Sequence, residues 1–409
     1  MKSNFRKSLF SRYKFPLLII LMIQLGSIYF INPITFDSHE YLSISKNIYE
    51  KGEYSVINQN FDDFNKFAGE SPTRMRQPVY PLFLTISYWL FGRSTFLVLI
   101  IQFFLNLITF LLIMKSTELI FRDKLFWGSK YLIAIYFPFW VLSAFILTES
   151  IFSFLLTLSI YLYTKAIVRK NTKLFFATGI ILGITFLTRP IAIFILPILI
   201  IPLILIYNFK KVFQNWLIIS SSFLLIISPW FIRNAIMIGD LTPFSSDGGY
   251  NLWCASLGVE FKPWIDNSEF KNLVGDGYYI DRTSDKNFFE EGKSNMLNNP
   301  TKAFSNGFLR ILKTWTYFPG SRNFQENKYL FLFTTIIQIL ILMTSLIGIF
   351  SDNQKTLKII FLTPAIGFTT VILFSYSISR FLIPAMPFVL SLSGQGLLYL
   401  INQSKIVNN

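Results

Sequence analysis

Apolar runs of near membrane-spanning length recur along the 409 residues, and this constrains the fold more than any other feature of the chain. With no water in the bilayer core, backbone polar groups must be satisfied within each segment, so apolar runs of about 20 residues read as transmembrane helices. About ten such spans are expected, at 15–31, 95–114, 131–147, 151–168, 174–188, 191–207, 212–232, 329–350, 357–374 and 381–401. Several fall short of a roughly 30 Å hydrocarbon core, so their ends are expected to lie against protein or in a wet cavity. With 53% hydrophobic and only 14% charged residues, a soluble globular protein is excluded, and residues 1–409 read as one all-α polytopic membrane domain.

The distribution of cations orients these spans. The first is preceded by Lys2, Arg6, Lys7, Arg12 and Lys14 and reads as an uncleaved signal anchor, since no small-residue cleavage site follows it. Alternate connections carry Lys115, Arg122, Lys124 and Lys130, then Lys165, Arg169, Lys170 and Lys173, then Lys210 and Lys211, then Lys355 and Lys358, and finally Lys405. By the positive-inside rule this is the cytoplasmic side, and it holds both termini. The net charge of +15 thus does topological work and implies no nucleic-acid partner. The lone Cys254 permits no intrachain disulfide.

Two long connections, 32–93 and 233–328, fall on the opposite, outer side. In the first, 37–51 carries Tyr41, Ile44, Ile48 and Tyr49 on one helical stripe, with Gly52 as a stop. Residues 78–91 are apolar but too short to span, and read as a second interfacial or re-entrant helix. In the second loop, Asn299-Pro300 starts a helix with Phe304, Phe308, Ile311, Leu312 and Trp315 on one face and Lys302, Arg310 and Lys313 among its polar positions. That pattern suits a basic amphipathic helix at a membrane surface.

Six arginines fall on the outer side against the rule: Arg74, Arg76, Arg93, Arg189, Arg233 and Arg380. Arg93, beside Gly92, reads as an interfacial anchor. Arg74 and Arg76 precede the rigid Pro78, and two guanidinium forks there suit a phosphate or diphosphate. Arg189, Arg233 and Arg380 each end a span, and Glu149 lies between two spans with no room for a solvated loop. A charge at membrane depth costs about 2.5 to 3.5 kcal/mol, which makes these residues functional candidates. Their alternative duties are snorkelling for the arginines and helix capping for Glu149. Asp37 and Glu40 share a helix face. Asp37 suits either a helix cap or a general base for an acceptor hydroxyl. His39, the only histidine, reads as a surface residue, and no residue is assigned to a metal.

These residues carry a family resemblance. Asp37, Tyr41 and Gly52 are followed by Arg76-Gln77-Pro78-Val79-Tyr80-Pro81-Leu82-Phe83, then by Thr148-Glu149, Thr188-Arg189-Pro190 and Pro229-Trp230-Phe231-Ile232-Arg233-Asn234. Next come Ser245-Ser246-Asp247-Gly248-Gly249-Tyr250-Asn251-Leu252 and Arg380-Phe381-Leu382-Ile383-Pro384. In this order, from Asp37 to about Pro387, the chain resembles the GT-C class of lipid-linked-sugar glycosyltransferases. Within the class it is similar to the family 39 group of protein O-mannosyltransferases and aminoarabinose transferases of lipid A. Two departures stand out. Ser38 follows Asp37 where many members have Glu, and the chain ends at Asn409 without the C-terminal soluble domain of some relatives.

The resemblance implies a sugar donor on a polyprenyl phosphate, and a lipid, glycan or protein acceptor. Transfer is expected at the outer face of a plasma membrane, with inversion at the sugar. It implies Asp37 as general base, Arg76, Arg189, Arg233 and Arg380 as ligands of the donor phosphate, and Glu40, Tyr41, Arg74, Tyr80 and Glu149 in support. A divalent metal is left open as a cofactor. The rival readings are a transporter or flippase of lipid-linked sugars, and a glycan polymerase or ligase. A transporter is expected to bury polar groups through several spans, whereas here the candidates gather on one side.

Overall fold

The computed structural model describes residues 9–56, 72–121, 127–259, 282–319, 327–351, 355–376 and 379–407. From the N-terminus come α1 (Leu9–Phe30), the short α2 (Phe36–Lys51) and α3 (Val79–Phe91), α4 (Thr95–Phe121), α5 (Trp127–Ile135) and α6 (Phe137–Val141). They are followed by α7 (Glu149–Arg169), α8 (Thr172–Phe186), α9 (Ile195–Ile198), α10 (Ile200–Ile206) and α11 (Phe209–Ile238). The late loop forms α12 (Gly248–Leu257), α13 (Arg282–Asn298) and α14 (Pro300–Thr316). Then come α15 (Lys328–Phe350), α16 (Lys355–Phe374) and α17 (Met386–Val407). The described residues contain no strand. Lys2, Arg6, Lys7, Arg122 and Lys124 of the charge census lie outside them.

Seven of these segments are long and apolar enough to cross a membrane: α1, α4, α7, α11, α15, α16, and α17 with the 3-10 turn that leads into it. The other three expected spans exist in altered form. Residues 131–147 divide into α5, α6 and a 3-10 turn at Leu142–Ala144, with Pro138 at the start of α6. Residues 191–207 divide into a 3-10 turn at Pro190–Phe194, α9 and α10, punctuated by Pro190, Pro197 and Pro202. Proline lacks the donor and clashes with the preceding turn, which disfavours a continuous helix at these positions, whereas α11 and α16 each accommodate one, Pro229 and Pro364. The span at 174–188 is α8, only 15 residues long.

Broken backbone at membrane depth survives only where its polar groups find partners inside the protein. Gln102 of α4 supplies them for the first break, donating from Nε2 to Ser143 O at 3.1 Å and Phe145 O at 2.8 Å. Its own Oε1 accepts from Tyr80 Oη at 2.8 Å, and Ile146 N–H reaches Pro33 O at 2.9 Å. This relay fixes the backbone just before Glu149.

Helix pairs approach closely through small residues, as membrane packing favours. A Cβ on Gly179 of α8 would lie 2.2 Å from Ile219 O of α11, and one on Gly396 of α17 would lie 1.9 Å from Thr344 O of α15. Two loop cations turn inward instead of facing water. Lys358 is fully buried and donates to Gly348 O at 2.8 Å, where the C-terminal end of α15 favours positive charge. Arg310, expected on the polar face of α14, is also buried. Its guanidinium donates to Ile372 O at 3.0 Å beside the end of α16, and to Ala255 O of α12 at 2.7 Å. The sequence pattern missed this because the cations at C-terminal helix ends bond to carbonyls that no side-chain periodicity reveals.

Candidate active site

Local geometry first frees the two acids that the sequence left between capping and chemistry. The N-terminus of α2 is closed by Thr35 and Ser38, whose hydroxyl accepts from Thr35 N–H at 2.9 Å. Ser38, the departure from the family pattern, thus takes the cap, and Asp37 is left to face the cavity. Gly52 ends the helix in the left-handed conformation, at φ 70°. Glu149 opens α7 after Thr148, but its carboxylate turns to arginines.

The cavity, of about 560 Å³, opens between α2, the 72–78 segment, the two turns at Glu149 and Arg189, the late loop and α16. Three of the four proposed phosphate ligands meet there. Arg76 pairs with Asp37 at 3.1 Å, with Glu40, and with Asp247 at 3.6 Å, while its guanidinium lies over the Tyr41 ring. Arg380 reaches Asp37 Oδ2 at 3.3 Å and Glu149 Oε1 at 3.3 Å. Arg189 faces the same Glu149 oxygen at 3.1 Å and lies over the rings of Phe152 and Phe381. A backbone bond from Val79 N–H to Leu187 O, 3.0 Å, ties the Arg76 segment to the Arg189 turn. Residues distant in sequence thereby form one chain of alternating charge, from Arg189 through Glu149, Arg380 and Asp37 to Arg76.

Neither Arg189 Nη1 nor Arg380 Nε has a hydrogen-bond partner, although both are buried. They lie within ion-pair distance of Glu149 but outside bonding geometry. Buried donors are normally satisfied, so an anion entering the cavity would complete them.

The two acids of α2 are held differently. Burial acts to raise the Asp37 carboxyl, but Arg76 and Arg380 outweigh it and hold it below the usual carboxylate range. Glu40 is only 5% exposed, and there burial outweighs Arg76 and pushes the carboxyl up to about 7. At neutral pH Asp37 is therefore ionised, while Glu40 is near the midpoint of its titration and pairs with Arg76.

The other expected residues lie around this centre and not in it. Arg233 does not line the cavity. It donates to Thr73 O at 2.7 Å and Tyr54 O at 3.3 Å and stacks on Trp230 and Tyr54, so it fastens two interior stretches of the first outer loop to α11. Arg74 is bound to Asp240 at 3.0 Å and lies 3.9 Å from Asp285, joining the first outer loop to the late one. Tyr80 is fully buried and acts on the Glu149 turn through Gln102. Arg93 pairs with Glu50 at the surface, away from the cavity. Asp247 is a cavity carboxylate that sequence reasoning saw only as part of a glycine-rich motif. Among the described residues no group of three or more His, Cys, Asp or Glu gathers as a metal site requires. The cavity carboxylates face guanidinium groups.

Residues 72–232 match the family described as dolichyl-phosphate-mannose-protein mannosyltransferase, a stretch that holds Arg76, Glu149 and Arg189. No curated protein sequence gives a significant match. In fold, the chain is similar to the oligosaccharyltransferase AglB of Archaeoglobus fulgidus. In complex with an inhibitory peptide and a dolichol-phosphate, AglB aligns with a TM-score of 0.56 at 13% identity, over 98% of this chain and 52% of that one. The same enzyme tethered to an acceptor peptide gives 0.57 at 14% identity, over 97% and 51%. The chain therefore spans about half the length of the oligosaccharyltransferases that it matches. ArnT of Cupriavidus metallidurans bound to undecaprenyl phosphate gives 0.42 at 12% identity, over 96% and 78%. This is a polytopic membrane protein that shares its fold with AglB, and its residues 72–232 match the dolichyl-phosphate-mannose-protein mannosyltransferase family.

Proposed function

We propose that the chain is an inverting glycosyltransferase that moves a sugar from a polyprenyl phosphate to an acceptor hydroxyl at the outer face of a membrane. The observation that carries this reading is the convergence of Arg76, Arg189 and Arg380 on one cavity beside Asp37, with donors of Arg189 and Arg380 left unbonded. The dolichol-phosphate bound to AglB is a ligand of the same class. The cavity also has an apolar wall, formed by Ile191 and Phe194 of the broken segment and by Phe368, Val371 and Ile372 of α16. Isoprenoid carbons suit such a wall, next to a phosphate-binding end.

In the proposed reaction Asp37 accepts the proton of the acceptor hydroxyl as that oxygen attacks the anomeric carbon from the face opposite the phosphate. The bond from the anomeric carbon to the phosphate oxygen breaks, and polyprenyl phosphate leaves with the electron pair. Arg76, Arg189 and Arg380 stabilise the charge that develops on the leaving phosphate, an effect that is strong in a water-poor site. Before the donor binds, the arginines hold Asp37 ionised but weakly basic. A phosphate draws Arg76 and Arg380 towards itself and raises the basicity of Asp37 as the reaction needs it. Glu149 keeps Arg189 and Arg380 at one point, and Arg233 has a positioning role behind the loop.

Asp37→Asn keeps the shape of the side chain and removes the base. Transfer from a synthetic polyprenyl-phosphate sugar is expected to fall by at least a hundredfold, within the range of general base catalysis. Activity near that of the parent would rule Asp37 out.

A further inference from the structure

The cavity has a second polar wall that phosphate binding does not use. Gln77 of the first outer loop and Ser245, Ser246 and Asp247 of the late loop form it. Asp247 keeps 36% of its side chain exposed and accepts from Ser245 Oγ at 2.6 Å. Its 3.6 Å contact with Arg76 is made to Nη1, whereas Asp37 is met by Nη2, so one guanidinium stands between the two carboxylates. Beside Asp247 are two orphans. Ser246 is 1% exposed and Gln77 4%, and neither Ser246 Oγ nor Gln77 Oε1 has a hydrogen-bond partner. Buried polar atoms left unpaired are costly, so what completes this wall is a polar occupant that supplies hydrogen-bond donors.

Charge narrows the occupant. The cavity is lined by Asp37, Glu40, Glu149 and Asp247 against Arg76, Arg189 and Arg380. Even with Glu40 protonated the two signs only balance, and a bound phosphate leaves the site negative. A further carboxylate placed against Asp247 would be repelled.

We infer that Asp247, with Ser246 and Gln77, is the subsite for the glycosyl group of the donor, and that it selects neutral or amino sugars over uronic acids. This rests on the proposed glycosyltransferase reading. A phosphate held by Arg76 carries its sugar into the neighbourhood of the guanidinium that Asp247 faces. Its hydroxyl or amino hydrogens then donate to Asp247 and Gln77, and Ser246 Oγ gains a partner. Asp247 is a specificity residue, and Asp37 remains the base.

The test measures binding of four synthetic probes of one chain length to the full protein in detergent: polyprenol, polyprenyl phosphate, and its phosphoryl-hexose and phosphoryl-hexuronate derivatives. The parent is expected to bind the phosphoryl-hexose more tightly than polyprenyl phosphate, and at least tenfold more tightly than the phosphoryl-hexuronate. In Asp247→Asn the gap between hexose and hexuronate shrinks several-fold, because the amide keeps hydrogen bonding but removes the charge. In Asp247→Ala the preference for the glycosylated over the bare phosphate falls by about tenfold, the size expected for hydrogen bonds to a charged group. Each readout is a ratio within one protein, so a variant that folds poorly does not mimic it. Ratios equal to those of the parent in both variants overturn the subsite alone. A parent that binds polyprenyl phosphate no better than polyprenol overturns the glycosyltransferase reading and the subsite with it.

Discussion

Arg76 and Arg233 sit in motifs of equal clarity, yet their surroundings differ in kind. Arg76 faces three carboxylates across a cavity, whereas Arg233 faces two backbone carbonyls and two aromatic rings. Lysine preserves charge but not the planar fork or its stacking. Arg76→Lys is therefore expected to raise the KM for a polyprenyl-phosphate sugar by about tenfold, as one charge-assisted bond is lost. Arg233→Lys is expected to leave that KM within about threefold and to lower the unfolding temperature instead, through about 1 to 2 kcal/mol of lost bonding and stacking. Equal rises in KM would return Arg233 to the phosphate site. Glu149, Arg189 and Arg380 stood out because a charge at membrane depth is conspicuous against apolar neighbours, and Asp37 and Arg76 because of the motifs that hold them. The motifs did not separate Arg233 from the rest, since a carbonyl-bound guanidinium and a phosphate-bound one leave the same trace in a sequence. Asp247 was hidden for the opposite reason: an aspartate before two glycines looks like a turn.

Between elements, the packing of α12 on α13 decides where Asp247 stands. A Cβ on Gly249 would lie 2.0 Å from Asp285 O, and one on Gly292 would lie 2.8 Å from Trp253 N, so the two helices touch backbone to backbone. Asp285 Oδ1 then accepts from Gly249 N–H at 2.7 Å, at the N-terminal end of α12. Neither helix was anticipated, because α13 is polar, α12 is only 10 residues long, and their contact is made by glycine. Longer apolar elements were readable, but their breaks were not placed. Prolines marked the segment at 190–206, yet only the folded chain shows Gln102 meeting the carbonyls freed at the other break. Burial raises the Asp285 carboxyl from its ordinary 3.8 to about 6, with Asp247 adding to the rise, while the bonds from Gly249 and Tyr250 and the charge of Arg74 oppose it. Between these values the folded state holds a proton that the unfolded state has lost. The stability this gives is complete below 3.8 and is lost as pH rises through 6, at up to about 1.4 kcal/mol per pH unit. Asp285→Asn is permanently neutral, and Asp37 and Glu40 titrate alike in both proteins. The unfolding temperature of the parent in detergent should therefore drop more between pH 4.5 and pH 7 than that of the variant. Parallel curves would show that Asp285 does not titrate there.

Across the whole molecule, the site and the lysine-rich connections lie at opposite ends of the long helices, and this polarity bears on which side of the membrane the chemistry faces. The positive-inside rule counts cations in short connections, whereas long loops translocate largely regardless of charge. Arg74, Arg76, Arg93 and Arg233 lie in or beside the long loops and carry no weight in that count. Arg189 and Arg380 lie at short turns and are the true exceptions, and both are engaged by Glu149. Against them stand Lys165, Arg169, Lys170 and Lys173 around the single connection from α7 to α8. On that rule we propose that this connection is cytoplasmic and that the cavity faces outside. Cys254 is the only cysteine, so a Cys254→Ser protein gives a clean background for site-directed labelling. Leu241, 77% exposed beside Asp240, reports the cavity side. Asn171, exposed at the start of α8, reports the other. In intact cells a membrane-impermeant maleimide should label the Leu241→Cys protein at once, and the Asn171→Cys protein only after the membrane is permeabilised. The reverse pattern would put the arginine cluster in the cytoplasm, where transfer to an extracytoplasmic acceptor is impossible.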